Sequence, residues 1–454
     1  MEFQAKYQGE KLILPEIDCD CGMPHKNPDM DIYIGNNIIA SSGEYIKKKI
    51  TGKTPLVITD NIIDEIAGEK VVEYLGQAGF NAKKCILERE EELVPDETAL
   101  GEVLLEMNQD IDFLVAVGSG SINDITRYIA FNTDLPFVSI GTAPSMDGYT
   151  SVIAPLIYNK LKVNKPAKNP EVLICDLEIM KKAPYDLIIS GFGDVAGKYI
   201  AIADWILGKI VNQENYCPVI ADIVFQAVEK CVDNIEGIIN RSDEGIKSLI
   251  EALILAGVTI LIIGNTRAVA SNEHNMGHYI EMMKLLKGET PARHGITVGV
   301  TTGYAIKFYE KFLKINPDNI DINKLKTGHQ NREEWEETVM KAYGDKIGPL
   351  ILKENSDSYL EWEKRKKRIN NLINNFEKIK NELDFLPDYD KLKKMYKKLD
   401  FPLKAEEISI DQKLLKNALM YAKDYRDRYT VFKSAEELGI LESLVKEIIK
   451  YGGR

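Results

Sequence analysis

Histidine is scarce in this chain, with five residues among 454. No apolar run reads as long enough to cross a bilayer. The longest, around LILAGVTILIIG, is interrupted by glycine and reads as a buried core helix. The start, MEFQAKYQGEKL, lacks the apolar stretch of a signal peptide, so the expectation is a cytoplasmic protein with reduced cysteines. Positive charge is not in excess either. The formal net charge is -12, which argues against nucleic acid or an anionic membrane as partner. A small anionic substrate stays open, because a local cationic pocket can oppose the global sign. Close cysteine pairs are nearly absent. Of the six cysteines only Cys19 and Cys21 are neighbours, in CDCGMPH with His25. No second Cys/His pair at finger-like spacing follows, so this segment reads as a structural turn rather than a complete zinc site. There is no internal repeat.

What is present has ordinary globular composition and a clear division along the chain. The length suggests two or three domains with ample core. In the N-terminal part, the apolar runs DIYIG, PLVITD, KCILE, DFLVAVGSG and PFVSIGT read as strands. They alternate with the helical stretches EYIKKKI, VVEYLGQAG, TALGEVLLEMNQ and INDITRYIAFNT. Alternation at this spacing predicts a doubly wound parallel sheet. The pattern stops near Pro184, and beyond it apolar residues recur at helical spacing. The expected fold is therefore an α/β, Rossmann-like dinucleotide-binding domain over 1–185 and an all-α domain over 186–454. The Lys-, Glu- and Asn-rich stretch from about 354 to 398 reads as solvated helix faces.

Three of the histidines fall close together. His274 and His278 are four residues apart in NTRAVASNEHNMGHYIEM, and His294 follows in PARHG. On a helix, positions i and i+4 share a face. Two imidazoles from one turn, a third from the next element and a carboxylate would make an open metal site. The candidate carboxylate is Asp194 in SGFGDVAGKY. Scattered histidines with no shared role are the bland alternative, and their rarity here weighs against it. A second signal is VAVGSGSIND, which places Gly118, Gly120 and Ser121 between an apolar strand and a helix. Glycines there let the backbone approach a phosphate at a helix N-terminus. The third glycine of the usual dinucleotide fingerprint is missing, so a plain tight turn is the rival. Asp60 ends PLVITD. A carboxylate at that place can accept both ribose hydroxyls and favours NAD over NADP, and it can equally cap the next helix. Asp147 lies in the turn-like MDGY of SIGTAPSMDGYTSVIAP, where an Asx turn is the plain reading.

Taken together, GSGSIND, TAPSMDGYTS, GFGDVAGK with ADW downstream, RAVASNEHNMGH and HGITVGV resemble the sn-glycerol-1-phosphate dehydrogenases, of the superfamily of metal-dependent alcohol dehydrogenases and dehydroquinate synthases. CDCGMPH and YAKDYRDRYTVFKSAEELGIL are similar to the bacterial branch. The resemblance spans most of the chain and is weakest from about 311 to 402. It implies a dehydroquinate synthase-like fold and reversible NAD(P)H-dependent reduction of dihydroxyacetone phosphate, in phospholipid biosynthesis. It implies one divalent metal, zinc or nickel, and a homodimer. By its pattern the dinucleotide is held by Asp60, Gly118, Gly120, Ser121, Ile122, Asn123, Asp124, Thr142, Ala143, Pro144, Ser145 and Ser151. The metal is held by Asp194, His274 and His294. Asp147, Asp194 and His278 contact substrate, with His278 and Asp147 in the catalytic role. Val269 and Asn272 stand where the pattern has proline and glycine, and leave the ligands in place. Arg267 and Lys198 are candidates for the phosphate. The alternatives are a glycerol or other polyol dehydrogenase and a dehydroquinate-synthase-like lyase. A non-catalytic relic is at odds with the intact Asp-His-His set.

Overall fold

The computed structural model describes residues 5–452 apart from 15, 91 and 160. The first four residues of the N-terminal stretch discussed above lie outside the described residues. The chain forms two compact units. Unit 1 comprises Met1–Asp18, Pro24–Val195 and Asp222–Asn265; unit 2 comprises Cys19–Met23, Ala196–Ala221 and Thr266–Arg454.

Unit 1 is built on strands β1 (Lys6–Gln8), β2 (Lys11–Ile13), β3 (Asp31–Gly35), β4 (Pro55–Asp60), β5 (Lys83–Leu87), β6 (Phe113–Gly118), β7 (Phe137–Gly141), β8 (Ile153–Tyr158), β9 (Leu161–Pro166) and β10 (Val172–Asp176). Eight of them form one sheet in the order β1-β2-β3-β10-β7-β6-β4-β5. The run from β3 to β5 is parallel, and β1 and β2 add antiparallel strands at one edge. β8 and β9 pair as a separate antiparallel hairpin. The five strands expected from the apolar runs are all present. β1, β2, the β8–β9 hairpin and β10 are additions to that expectation.

Helices cover both faces of the sheet. They include α1 (Ser42–Lys47), α2 (Glu69–Gln77), α3 (Glu97–Glu106) and α4 (Gly120–Thr133). Alternation along the strands divides the core between the faces, since successive side chains point opposite ways. Val57, Val115, Val138 and Ile174 pack with Ile46 of α1 and Val71 and Leu75 of α2. Leu56, Ile58, Leu114 and Ala116 pack with Val103 of α3 and Ile125 and Ile129 of α4. This is the doubly wound arrangement that the alternating pattern predicted.

The long helices follow: α5 (Tyr185–Asn212), α6 (Pro218–Asp233), α7 (Asp243–Ile263), α8 (Asn272–Leu286) and α9 (His294–Phe312). One expectation is corrected here. α7 is long and apolar enough to cross a membrane by length and composition. Gly257 does not interrupt it, because a single glycine costs a helix only about 1 kcal/mol relative to alanine. Most of the apolar window is buried within the fold, so the reading as a core helix holds. Unit 2 is helical, with further helices at Arg332–Glu354, Trp362–Asn374, Tyr389–Lys398, Gln412–Tyr421 and Leu441–Gly452.

Candidate active site

In unit 1 the sheet brings the predicted dinucleotide residues to one edge. Ile58 of β4 is paired with Ala116 of β6, so Asp60 and Gly118, each two residues further on, end neighbouring parallel strands at the same level. Gly118 is paired in turn with Gly141 of β7, and the Thr142 amide donates to the Gly118 carbonyl at 3.2 Å. β5 lies on one side of β4 and β6 on the other, so strand order reverses there. The carboxyl edge of such a switch is where open α/β sheets bind ligands.

Local chemistry suits an anion at this edge. Ser119, ahead of α4, makes no side-chain cap bond, so the first-turn N–H groups keep their positions open toward a phosphate. The Thr142 hydroxyl is buried without a hydrogen-bond partner among the described residues, which fits a ligand acceptor. Asp60 accepts the Ile63 amide at 2.8 Å as a helix cap. Burial raises its pKa, opposed by the Ile63 and Ile62 amides. Other predicted contacts point their side chains inward. Ile122 is in the core. Asn123 accepts from the Ser139 hydroxyl at 2.7 Å and donates to the Ser119 carbonyl at 3.1 Å. Asp124 lies 3.5 Å from the buried Arg127 guanidinium, and burial, opposed by Arg127, pushes its carboxyl up to about 6. Ser121 at the head of the helix is only partly buried.

The loop from Thr142 to Ser151 is braced on several sides. The Tyr149 hydroxyl donates to the Ala143 carbonyl at 2.6 Å, and the Ser190 hydroxyl to the Ser145 carbonyl at 3.2 Å. Arg127 donates to the Ser151 carbonyl at 3.3 Å. The Asp194 carboxylate, on α5, accepts the Asp147 amide at 3.0 Å. A Cβ on Gly191 would overlap the Pro144 carbonyl oxygen, and one on Gly257 would come within 2.5 Å of the Asp147 carbonyl oxygen. Backbone therefore approaches backbone where Pro144 and Asp147 are held.

In unit 2 the three predicted histidines are neighbours. Ring centroids are 6.3 Å apart for His274 and His278, 5.5 Å for His274 and His294, and 5.2 Å for His278 and His294. Two buried carboxylates hold them. Glu273 Oε1 is 2.7 Å from His274 Nδ1, and Glu281 Oε1 is 2.8 Å from His294 Nδ1. His278 Nδ1 is further from Glu281 Oε2, at 3.5 Å. A carboxylate at Nδ1 fixes the tautomer and leaves the Nε2 lone pair for a metal. The donor atoms of His278, Glu281 and His294 all lie within 4.8 Å of one another, and this group omits His274. With Glu281 bound to Nδ1 of His294, we read it as the orienting carboxylate rather than a ligand. Glu281 was missed in the sequence. Its signal was present, since positions 274, 278 and 281 recur at i, i+4 and i+7 on one helix face.

Asp204, of the ADW segment, is fully buried. It accepts from the Ser271 hydroxyl at 2.7 Å, the Tyr309 hydroxyl at 2.5 Å and the Val431 amide at 2.8 Å. Arg267 donates to Glu214 at 2.9 Å and to the carbonyls of Asp204 and Tyr429 at 2.7 and 2.8 Å. Its guanidinium is committed to this scaffold, which corrects the suggestion that it binds phosphate. Arg428 donates to the Ala270 carbonyl at 2.6 Å. The C-terminal YRDRYT segment thus braces the turn that enters α8. Lys198 is buried in unit 2.

Residues 33–184 match the family model described as iron-containing alcohol dehydrogenase. The chain is 36% identical over 283 residues to the glycerol-1-phosphate dehydrogenase (NAD(P)+) of Bacillus subtilis (strain 168), covering 62% of this chain and 72% of that one. It is 28% identical over 430 residues to the enzyme of the same name from Bacillus licheniformis, covering 94% of each. Among solved structures it is similar to a glycerol dehydrogenase from Schizosaccharomyces pombe, with TM-score 0.60 and 15% identity over 94% of this chain and 92% of that one. This last likeness establishes the fold alone, which is the dehydroquinate synthase-like fold expected.

Proposed function

The chain belongs to the glycerol-1-phosphate dehydrogenase family, and from that premise we propose that it reduces dihydroxyacetone phosphate to sn-glycerol 1-phosphate, reversibly, with NADH or NADPH as hydride donor. The observation that carries the reading is the histidine face of α8 and α9, where Glu273 and Glu281 hold Nδ1 of His274 and His294. A protein without a metal has little reason to bury two carboxylates against three imidazoles.

In this reading the metal ligands are Asp194, His274 and His294, and the ion is zinc or nickel. Its chemistry is that of a Lewis acid, polarising the ketone oxygen when bound. A bound nicotinamide would supply the hydride, and the product alcohol oxygen would then need a proton. His278, held more loosely by Glu281, donates that proton or contacts the substrate hydroxyl. Asp147 contacts the substrate from a loop fastened by its own amide to Asp194. Residues 1–185 serve as the dinucleotide-binding domain and 186–454 as the metal- and substrate-binding domain. The protein works in the cytoplasm.

The remote phosphate supplies binding energy that positions the ketone, so its removal costs turnover as well as affinity. Dihydroxyacetone is expected to be reduced on the order of a hundredfold less efficiently than dihydroxyacetone phosphate, the scale of lost charged contacts. An NADH oxidation assay of the metal-loaded protein with both ketones checks this. Equal efficiency would favour a polyol dehydrogenase. A retained dinucleotide with no net NADH consumption would favour the lyase.

Asp60 sets the expected cofactor preference. A 2′-phosphate would meet its negative charge, so NADH should be used more efficiently than NADPH. In Asp60→Ala the gap narrows, and the lost cap costs about 1 kcal/mol of stability. Steady-state kinetics with both cofactors read the first effect and thermal unfolding the second. A clear NADPH preference in the unmodified protein contradicts this role.

We also propose a homodimer. Light scattering at micromolar concentration should report about twice the 51.2 kDa chain mass. A species of single-chain mass alone contradicts it.

A further inference from the structure

Cys19, Cys21 and Cys217 come together in unit 2 although 198 positions separate the first from the last. Cys19 Sγ lies 3.2 Å from Cys21 Sγ and 3.5 Å from Cys217 Sγ. The three sulfurs belong to one group of metal-ligating atoms, all within 4.8 Å of one another. None of the three is in a disulfide. We propose that these three cysteines bind a soft divalent ion of the zinc class, at a structural site distinct from the histidine site.

Three arguments support this. The first is geometric. Thiolates about 2.3 Å from a tetrahedral zinc stand about 3.8 Å from each other, close to the observed separations. Thiols are weak donors and weak acceptors, so three of them gain little by clustering unless something binds all three. The second is anchoring. Cys217 immediately precedes α6, and the Ile220 amide donates to its Sγ at 3.4 Å, which fixes this sulfur in place beside Cys19. The third is access. Cys217 is buried, while Cys19 and Cys21 are partly exposed, which leaves an entry path. The remaining cysteines, Cys85, Cys175 and Cys231, are buried apart from this group.

The chemistry separates this site from the other. Imidazole with carboxylate accepts zinc, nickel, iron or manganese, whereas a thiolate set selects zinc-like soft ions. Three thiolates fill three positions of a tetrahedron and leave the fourth to a nitrogen, oxygen or water donor. Such an ion would tie the 19–23 segment to the entrance of α6 and act as a cross-link that chelators can remove.

The test is spectroscopic and uses the full chain. Protein loaded with cobalt(II) should show an intense thiolate-to-metal charge-transfer band in the near ultraviolet, which imidazole and carboxylate ligands do not produce. That band should persist in His274→Ala and disappear in Cys217→Ser. Elemental analysis of His274→Ala purified from zinc-supplemented cells should retain about one zinc per chain. Absence of the band in the unmodified protein, which requires no variant to fold, overturns the proposal. So does an intact mass two hydrogens below that of the reduced chain with a disulfide mapped among these cysteines, which would make the cluster a redox pair.

Discussion

In His274→Ala the ion of the histidine site is expected to be lost and kcat/KM to fall on the order of a thousandfold. The magnitude follows from the ion's role. Stabilising the charge that develops on the ketone oxygen contributes several kcal/mol, and each 1.36 kcal/mol is a factor of ten. The buried Glu273 and Glu281 carboxylates sharpen the expectation. Glu273 sits at His274 Nδ1 with no exposed surface. Removing the ring leaves that carboxylate without its imidazole, so metal affinity and local order are lost together. Glu281→Gln keeps the shape and an oxygen acceptor, and should weaken metal affinity by only about 10–100-fold, the usual scale for an orienting partner. Asp194→Ala should resemble His274→Ala. Metal analysis of each variant, with thermal unfolding to confirm folding, measures these effects. Full occupancy of the histidine site in both alanine variants would end the ligand assignment.

Gly191→Ala is expected to be strongly damaging to the loop that carries Asp147. Its Cβ would overlap the Pro144 carbonyl oxygen and lie 2.9 Å from the Pro144 carbonyl carbon. Neither atom is the end of a flexible side chain, so α5 or the 142–147 loop must move. Overpacking costs about 1–3 kcal/mol and occasionally more, and the backbone partner places this case at the upper end. At roughly 2–4 °C per kcal/mol, melting should fall by roughly 6–12 °C. A loop displaced by about 1 Å also misplaces Asp147 and the Thr142 edge, and a shift of that size can cost on the order of a hundredfold in rate. Gly101 of α3 is the control, since a Cβ there meets no atom within 4 Å. Gly101→Ala should be neutral or stabilise by about 0.5–1 kcal/mol. Equal melting temperatures and activities for the two variants would show that the loop does not depend on this close approach.

Much of this protein was legible in one dimension because the relevant signals repeat locally. Apolar runs bounded by turns marked β3 to β7, and the spacing of His274 and His278 placed both on one face of α8. Other features had no local signal that stood out. The short, half-polar strands β1 and β2 and the hairpin β8–β9 owe their pairing to partners rather than to their own pattern. β10 carries an apolar run, VLICD, yet only its neighbours β3 and β7 define it as a central strand.

By itself the sequence determined the alternation that makes a doubly wound sheet, the family, and the residue types available for metal and dinucleotide. These depend on periodicity, composition and short motifs, which lie within one or two turns of chain. Only the tertiary structure decided which groups those side chains meet. It assigned Arg267 to a buried scaffold with Asp204 and Glu214, and Glu281 to the orientation of His294. It set Asp60 level with Gly118 through strand register and brought Cys217 to Cys19 across 198 positions. The physical reason is that burial, register and hydrogen-bond satisfaction are settled by packing between distant segments. No local pattern encodes the partner that a buried charge or thiol will find.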